Sequence, residues 1–144
     1  MVRKEELTYK SRDRQTMLHA IRWIPEGKPV AILQIIHGMQ EFIGRYDEFA
    51  NFLAEKGILV MGNDHLGHGG SVADGKGTYG FFCKNDPATV LVRDAHRLKK
   101  MTQEEYYRIL KEKWEKVDKN NLEEIKRYNE FKRILRYILE DSTP

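Results

Sequence analysis

The chain contains a single cysteine, Cys83, among its 144 residues. One cysteine cannot form a disulfide within the chain, so a reducing compartment suits it. The opening segment, residues 1–6, is charged and lacks the apolar core of a secretory signal peptide. We therefore expect a cytoplasmic protein.

Long apolar runs and a strong net charge are also missing. The longest apolar stretch, residues 30–36, is interrupted by Gln34 and is far shorter than the ~20 residues that cross a membrane. The formal net charge of +3 gives no reason to expect nucleic acid or an anionic membrane surface as a partner. Apolar residues make up 40% of the chain, which is enough for a folded globular domain.

Glycine is absent after Gly80, although all eleven glycines lie before or at that position. From Thr102 onward nearly half of the residues are charged, in equal numbers of each sign. Such a composition indicates helices, whereas the glycine-rich first part suits strands, tight turns and helices. Two compositions therefore meet near residue 101.

The periodicity of the first part predicts strands and helices in an α/β order. A candidate antiparallel hairpin precedes a buried strand, a helix closed by Gly57 as C-cap, and a second buried strand. Asp86 and Pro87 suit the N-cap and first position of a helix reaching about Lys100. The segments are residues 5–10 and 17–24 for the hairpin, 30–36 and 58–61 for the buried strands, and 45–56 for the helix. The strand–helix–strand unit implies parallel pairing.

The second part places apolar residues at helical spacing, namely Leu110, Trp114, Val117, Ile125, Tyr128, Leu135 and Ile138. Asn120 and Asn121 predict a break between two helices or the cap of the second. The pattern is typical of an amphipathic helical pair that packs on the sheet. A helix face that binds a partner or a second copy is the alternative.

Three motifs lie where the predicted strands end. His37-Gly38-Met39 directly follows the first buried strand, and Gly44-Arg45-Tyr46 opens the helix after it. The second buried strand is followed by Asp64, His65, Leu66, Gly67, His68, Gly69, Gly70 and Ser71. All three motifs in this order form a specific signal. Over residues 5–106 the chain resembles α/β-hydrolases of the monoglyceride-lipase and lysophospholipase group, a serine aminopeptidase-like family.

The resemblance implies an α/β fold class: an incomplete α/β-hydrolase sheet, with the hairpin and the parallel unit, followed by a helical C-terminal tail. It also implies that the Met39 backbone N–H is an oxyanion-hole donor, with His37 and Gly38 shaping the turn. Acyl transfer passes through a tetrahedral oxyanion, and losing one such donor costs roughly 3–4 kcal/mol of barrier. By the same resemblance, a site-shaping loop comprises Asp64, His65, Gly67, His68 and Gly69.

A metal site is the alternative interpretation of this loop, since Asp64, His65 and His68 are plausible zinc ligands. No cluster of cysteine or histidine elsewhere in the chain supplies a further strong ligand. We therefore predict no metal and no other cofactor.

The catalytic triad of such a hydrolase is missing from the pattern. The family's nucleophile lies in a Gly-x-Ser-x-Gly elbow between a strand and a helix, and the chain has only three serines. Ser11 and Ser142 lie in polar segments, and Ser71 follows a glycine-rich loop instead of a strand. The acid and the histidine, which come after the serine in chain order, have no counterpart. We predict an oxyanion hole without a complete set of catalytic residues.

The family pattern ends at about Tyr107. We therefore divide the chain into residues 1–106, the N-terminal portion of an α/β-hydrolase domain, and residues 107–144, a charged amphipathic helical tail. A natural truncation, a frameshift, a fusion and an engineered fragment all stay open as origins. In the family's sheet the strand at residues 30–36 pairs on both sides, so here it is expected to have an unpaired edge.

The sequence thus predicts a truncated serine hydrolase, related by resemblance to enzymes that hydrolyse carboxylic esters, without triad-dependent activity as it stands. An ester or acyl-lipid substrate is expected only if the missing half is supplied. The alternative is a non-enzymatic α/β fragment that acts through association by its helical tail and open sheet edge, including self-association.

Overall fold

The computed structural model describes residues 1–72 and 77–140. The side chains of Leu110, Lys113, Phe131 and residues 134–140 lie outside this description, as does Ser142 altogether. The chain divides into two compact units, Met1–Leu98 and Lys99–Pro144.

The first unit begins with the predicted antiparallel hairpin. Strands β1 (Arg3–Lys10) and β2 (Met17–Ile24) pair along their whole length. Asp13 closes the turn between them, because its carboxylate accepts the Gln15 N–H at 2.8 Å, the Thr16 N–H at 2.9 Å and the Thr16 hydroxyl at 2.6 Å. Side-chain bonds of this kind make aspartate a favoured turn residue. The predicted hairpin is confirmed.

A strand–helix–strand unit follows the hairpin. β3 (Ala31–Ile35) and β4 (Ile58–Asn63) pair in parallel and are connected by α1 (Asp47–Glu55), which a 3₁₀ turn at Ile43–Tyr46 precedes. Gly57 follows the helix at φ +88°, the left-handed conformation of a glycine C-cap. The parallel pairing and the C-cap are confirmed, and α1 starts slightly later than predicted because of the 3₁₀ turn.

The four strands form one mixed sheet in the order β1-β2-β4-β3, with β4 antiparallel to β2. Among the described residues, β3 pairs with β4 alone and has no strand on its other side. The fold class is therefore confirmed: a partial α/β sheet followed by helices.

The hydrophobic core of this unit lies between the sheet and α1. It contains Trp23 from β2, Ile35 from β3, Ala50 from α1 and Val60 from β4. The Trp23 side chain is fully buried, and its indole N–H donates to the Asp47 carboxylate at 2.8 Å, as a buried indole needs an acceptor. Burial of these side chains holds the sheet against α1, and this packing fixes the position of the ends of β3 and β4.

Helix α2 (Pro87–Glu115) starts after Asp86, whose carboxylate accepts the Thr89 N–H at 3.3 Å, so the predicted N-cap is confirmed. The helix extends well beyond its predicted end near Lys100, because no glycine or proline interrupts the helix-forming residues that follow. It passes residues 106 and 107 without a break. The domain boundary at that point stays a proposal that rests on the sequence pattern.

The first turns of α2 are bonded to the hairpin and the sheet. The Asp94 carboxylate accepts the Ser11 hydroxyl at 2.6 Å and the Arg12 N–H at 2.7 Å. The Gln34 side chain of β3 donates to the Ala95 carbonyl at 2.8 Å. Gln34, the polar residue that interrupts the apolar run, therefore anchors α2 to β3.

Helix α3 (Leu122–Glu140) is capped by Asn121, whose side-chain oxygen accepts the Glu123 N–H at 3.1 Å. The rings of Trp114 on α2 and Tyr128 on α3 stack with centroids 4.1 Å apart. The predicted cap and helical pair are confirmed.

Over the described residues, no helix has both the length and the apolar character needed to cross a bilayer.

The apolar stripe of these two helices is seen in part. Trp114, Val117, Ile125 and Tyr128 are half-buried, whereas most residues around them are exposed. The predicted stripe also includes Leu110, Leu135 and Ile138, whose side chains lie outside the described residues. Whether the pair packs on the sheet stays a prediction.

Candidate functional site

Two of the three motifs meet at one edge of the sheet. His37 follows β3 and His65 follows β4, and the carboxyl ends of these parallel neighbours lie side by side. The His37 ring centroid lies 4.0 Å from that of His65 and 5.2 Å from that of His68. All three side chains are buried. The fold thus brings together residues that the sequence predicts for one site.

His37 is bonded through both ring nitrogens. Its Nε2 accepts the His65 backbone N–H at 3.0 Å, so the ring proton lies on Nδ1, which donates to the Gly38 carbonyl at 2.8 Å. His65 donates in return from its own Nε2 to the His37 carbonyl at 3.2 Å. The turn after β3 and the loop after β4 are therefore joined in both directions.

Burial lowers the pKa of both histidines, because desolvation penalises the charged imidazolium. The pKa of His65 falls to about 4, and the neighbouring His37 contributes to the effect. The pKa of His37 is lowered although its bond to the Gly38 carbonyl acts in the other direction. Both rings are neutral at neutral pH, as His37 must be if its Nε2 is to accept a hydrogen bond.

The turn at His37-Gly38-Met39 is held through its peptide groups. The Gly38 N–H donates to the Glu41 carboxylate at 3.0 Å. The Gly38 carbonyl accepts the His37 ring at 2.8 Å and the Glu41 N–H at 3.2 Å. Because a trans peptide is planar, the Met39 N–H then points away from these two donors. Within the part of the chain that is described, no hydrogen bond engages the Met39 N–H.

Glu41 is a member of this turn that the sequence reasoning missed. Its carboxylate also accepts the Tyr46 hydroxyl at 2.6 Å, and the Arg45 guanidinium lies 3.8 Å away. The bond from Tyr46 is the largest cause that lowers the pKa of Glu41, and the same bond raises the pKa of Tyr46. The sequence spacing could have identified Glu41, because a glutamate three residues after a backbone N–H can reach back to accept it, as in a capping box.

Asp64 organises the loop after β4. Its buried carboxylate accepts the Ile43 N–H at 2.7 Å, and the Gly70 N–H and His19 Nδ1–H at 2.8 Å each. These bonds tie the 3₁₀ turn, the loop and β2 to one side chain. His19 was not anticipated, because it lies 45 residues from Asp64 and only the folded sheet brings the two together.

Two predicted loop glycines lie where no side chain fits. Gly67 has φ +73°, and a Cβ there would lie 2.5 Å from the Phe81 carbonyl oxygen. Gly69 has φ +43°, and a Cβ there would lie 2.4 Å from the Asp64 carboxylate. Glycine combines left-handed backbone with such close approach without steric cost. The backbone path of the loop therefore depends on both residues.

Comparison with known protein families agrees with this geometry. The model of the family described as serine aminopeptidase, S33, matches residues 27–110, more than half of the chain. The chain belongs to the serine aminopeptidase S33 family. The matched segment includes β3, the turn, α1, β4 and the loop.

Individual relatives of this S33 family member match a shorter segment. The monoglyceride lipase of Rattus norvegicus is 47% identical over 49 residues, which is 34% of this chain and 16% of the lipase. Protein K6 of Vaccinia virus (strain Western Reserve) is 47% identical over 51 residues, which is 35% of this chain and 63% of that protein. The chain thus matches about a sixth of the length of the rat lipase.

A solved structure covers more of the chain. The carboxyl esterase from Bacillus coagulans in complex with glycerol has a TM-score of 0.66 and 30% identity, over 72% of this chain and 33% of the esterase. The strands and helices of the S33 segment are therefore part of an α/β-hydrolase fold, and the chain spans about a third of the esterase.

The two described serines of this family member are engaged in structural hydrogen bonds. The buried Ser71 hydroxyl donates to the Asp64 carbonyl at 2.7 Å and accepts the His19 N–H at 3.0 Å. Ser11 donates to Asp94 at 2.6 Å. Neither hydroxyl has a histidine ring nitrogen within hydrogen-bond distance among the described residues.

The spacing of Asp64, His65 and His68 does not produce a metal-binding group here. Within residues 1–72 and 77–140, no three histidine, cysteine, aspartate or glutamate side chains are arranged to hold a metal ion. The His65 Nε2 and both nitrogens of His68 face backbone carbonyl oxygens instead.

Proposed function

We propose that this chain supplies the oxyanion-hole half of a serine-hydrolase active site that acts on carboxylic esters of the monoacylglycerol or lysophospholipid kind. The single observation that carries the proposal is the Met39 N–H, which has no acceptor among the described residues while the Gly38 carbonyl of the same peptide is held by two donors. The ester class is inferred from the S33 family and from relatives named monoglyceride lipase and carboxyl esterase.

The physical basis is electrostatic preorganisation. A tetrahedral oxyanion is stabilised most by donors that are already oriented before the charge develops, because no free energy is then spent on reorienting them. The turn at Met39 is held by neutral His37 and by the Glu41 backbone. The buried, reciprocal bonds to His65 keep the turn at the end of β3.

We propose further that this chain does not turn over esters as it stands. Near Ser71, the His19 ring contacts two carboxylates, Asp64 through Nδ1 at 2.8 Å and Glu6 through Nε2 at 3.4 Å, and neither ring nitrogen bonds a serine hydroxyl among the described residues. A nucleophile, an acid and a histidine would have to come from another segment of polypeptide. An ester or acyl lipid is then a substrate of the combined site.

The test is covalent labelling with a fluorophosphonate probe, read by intact-protein mass spectrometry. We expect no stoichiometric label on this chain, because neither Ser11 nor Ser71 has a histidine ring nitrogen within hydrogen-bond distance among the described residues. A fusion of residues 1–106 to the part of the rat monoglyceride lipase that follows the segment equivalent to these residues is expected to label at the lipase serine. Stoichiometric labelling of the chain alone would disprove the inactivity proposal.

The same fusion tests the Met39 donor by its hydrolysis of a p-nitrophenyl ester. Met39→Pro removes the backbone N–H and is expected to lower kcat about 100-fold. Met39→Ala keeps the N–H and is the matched control, expected to stay within a few-fold of the parent. Equal activity in the two variants would rule out an oxyanion role for Met39.

A non-enzymatic role through association is the second candidate. It is favoured by β3, which has a strand on one side only among the described residues, and by the exposed apolar residues Val30 and Ile36 at its two ends. Unpaired strand edges template pairing with other chains. Sedimentation equilibrium distinguishes this candidate, because a strict monomer at high concentration would contradict self-association.

A further inference from the structure

His68 contacts the oxyanion turn directly, although the proposal above gives it no role. Its ring is buried and lies 5.2 Å from the Phe82 ring between centroids. Its Nε2 lies 2.7 Å from the Met39 carbonyl oxygen, and its Nδ1 lies 2.9 Å from the Leu66 carbonyl oxygen. Because a carbonyl oxygen only accepts, the short contact to Met39 requires a proton on Nε2.

We propose that His68 is the positioning residue of the turn: its Nε2–H donates to the Met39 carbonyl and fixes the Met39–Gln40 peptide. The proposal rests on the proposed function for the meaning of the turn as an oxyanion site. The hydrogen bond itself can be tested without catalysis.

Three successive peptide groups form the turn, and each is held at a different atom. The first is held at the Gly38 N–H by the Glu41 carboxylate, and the second at the Gly38 carbonyl by the His37 ring and the Glu41 N–H. The third, between Met39 and Gln40, is held at its carbonyl by His68. Among the described residues, no other hydrogen bond reaches this third group.

Packing does not replace that bond. The Met39 side chain is 65% exposed, so apolar contacts do not fix the residue. The dihedral angles of Met39 connect the second and third peptide planes, so loss of the third anchor frees the Met39–Gln40 peptide to rotate and leaves the Met39 N–H supported from the Gly38 side only. His68 acts across 29 residues of chain, from the loop after β4 to the turn after β3. It therefore makes the support on the C-terminal side of the oxyanion donor depend on the loop.

The His68 ring lies within hydrogen-bond distance of two acceptors, the Met39 and Leu66 carbonyl oxygens. A neutral imidazole carries one N–H and can donate to one of the two carbonyls, whereas an imidazolium donates to both. In either state the shorter contact to Met39 places a proton on Nε2. A protonated Nε2 is therefore the spectroscopic signature of the proposed bond.

The experiment is nuclear magnetic resonance on the full ¹⁵N-labelled chain. We expect His68 Nε2 to carry a proton, and the Met39 and Gln40 amides to have order parameters of about 0.85, as rigid backbone does. His68→Ala should lower these two order parameters below about 0.6 while the strands stay rigid. His68→Gln, which keeps a side-chain N–H donor, should restore rigidity at Met39.

His96→Ala is the matched control, because it removes an exposed histidine from α2 and should leave the turn rigid. The proposal is overturned if the His68→Ala turn is as rigid as the parent, or if the loosening spreads equally through the sheet, since that would indicate a general structural role. If His68→Ala does not fold, a folded His68→Gln chain with a mobile Met39 amide overturns it and a rigid one supports it. The labelling and fusion experiments do not depend on His68, so failure of either proposal is recognised separately.

Discussion

Replacing Asp64 by asparagine is expected to lower the free energy of unfolding by about 4 kcal/mol, as the loss of a buried and fully engaged charge does. The Asp64 side chain is 2% exposed, and its two oxygens accept three hydrogen bonds. Bonds to an ionised acceptor are stronger than those between neutral groups. An asparagine presents an NH₂ group on one side, so at least one buried donor would face another donor.

Urea unfolding followed by tryptophan fluorescence measures this effect, since Trp23 is buried in the same unit as Asp64. Asp118→Asn is the matched control, because Asp118 is exposed and accepts a local bond from Asn120 N–H at 2.9 Å. Its effect is expected to stay within about 0.5 kcal/mol. A loss at Asp64 no larger than that of the control would contradict the role of Asp64 as the organiser of the loop.

Acid is expected to destabilise the first unit between pH 6.5 and about 4, because the pKa of buried His65 falls to about 4 in the folded chain. In the unfolded chain the same histidine takes up a proton as the pH falls below its ordinary value of 6.5. Unfolding therefore binds a proton in this window, and lower pH favours the unfolded state. The contribution is present in full above pH 6.5 and decreases towards pH 4, by at most about 3 kcal/mol.

Urea unfolding at a series of pH values, on the parent and on His65→Gln, isolates this contribution. His37 acts in the same direction because its pKa is also lowered, whereas Asp94 opposes it at the acid end because its pKa is raised. The difference between the two chains removes the Asp94 effect, whereas the His37 effect is coupled to His65 because the two rings are in contact. We expect a flatter curve for His65→Gln, and parallel curves would mean that His65 is not held neutral by burial.

These two experiments and the His68 experiment examine the same network from three sides. Asp64 gives the loop its shape, His65 joins it to His37, and His68 joins it to Met39. The free energy of unfolding measures the roles of Asp64 and His65. The order parameters of the Met39 and Gln40 amides measure the role of His68. A loop that serves only as a connection would not need all three.

Local chemistry allowed several features to be predicted from the sequence. These are the order of the elements along the chain, the hairpin, the parallel unit, and the caps at Gly57 and Asp86. Alternation and β-branched runs define strands, and a glycine or aspartate at a helix end satisfies backbone groups within a few residues. The end of α2 could not be predicted, because the helix-forming residues after Lys100 contain no local stop signal.

The sequence by itself determined the family, the strand-end motifs and the location of His37, Gly38 and Met39 after a buried strand. Its motifs consist of neighbours along the chain, so they are readable without a fold. Only the tertiary structure decided what these residues bond to: His19 with Asp64, His65 with His37, and His68 with Met39. These partners lie 28 to 45 residues apart, and no spacing rule connects them. The reason is that parallel pairing of β3 with β4 brings two strand ends that are distant in sequence to one edge of the sheet. Hydrogen bonds then form between groups that are close in space.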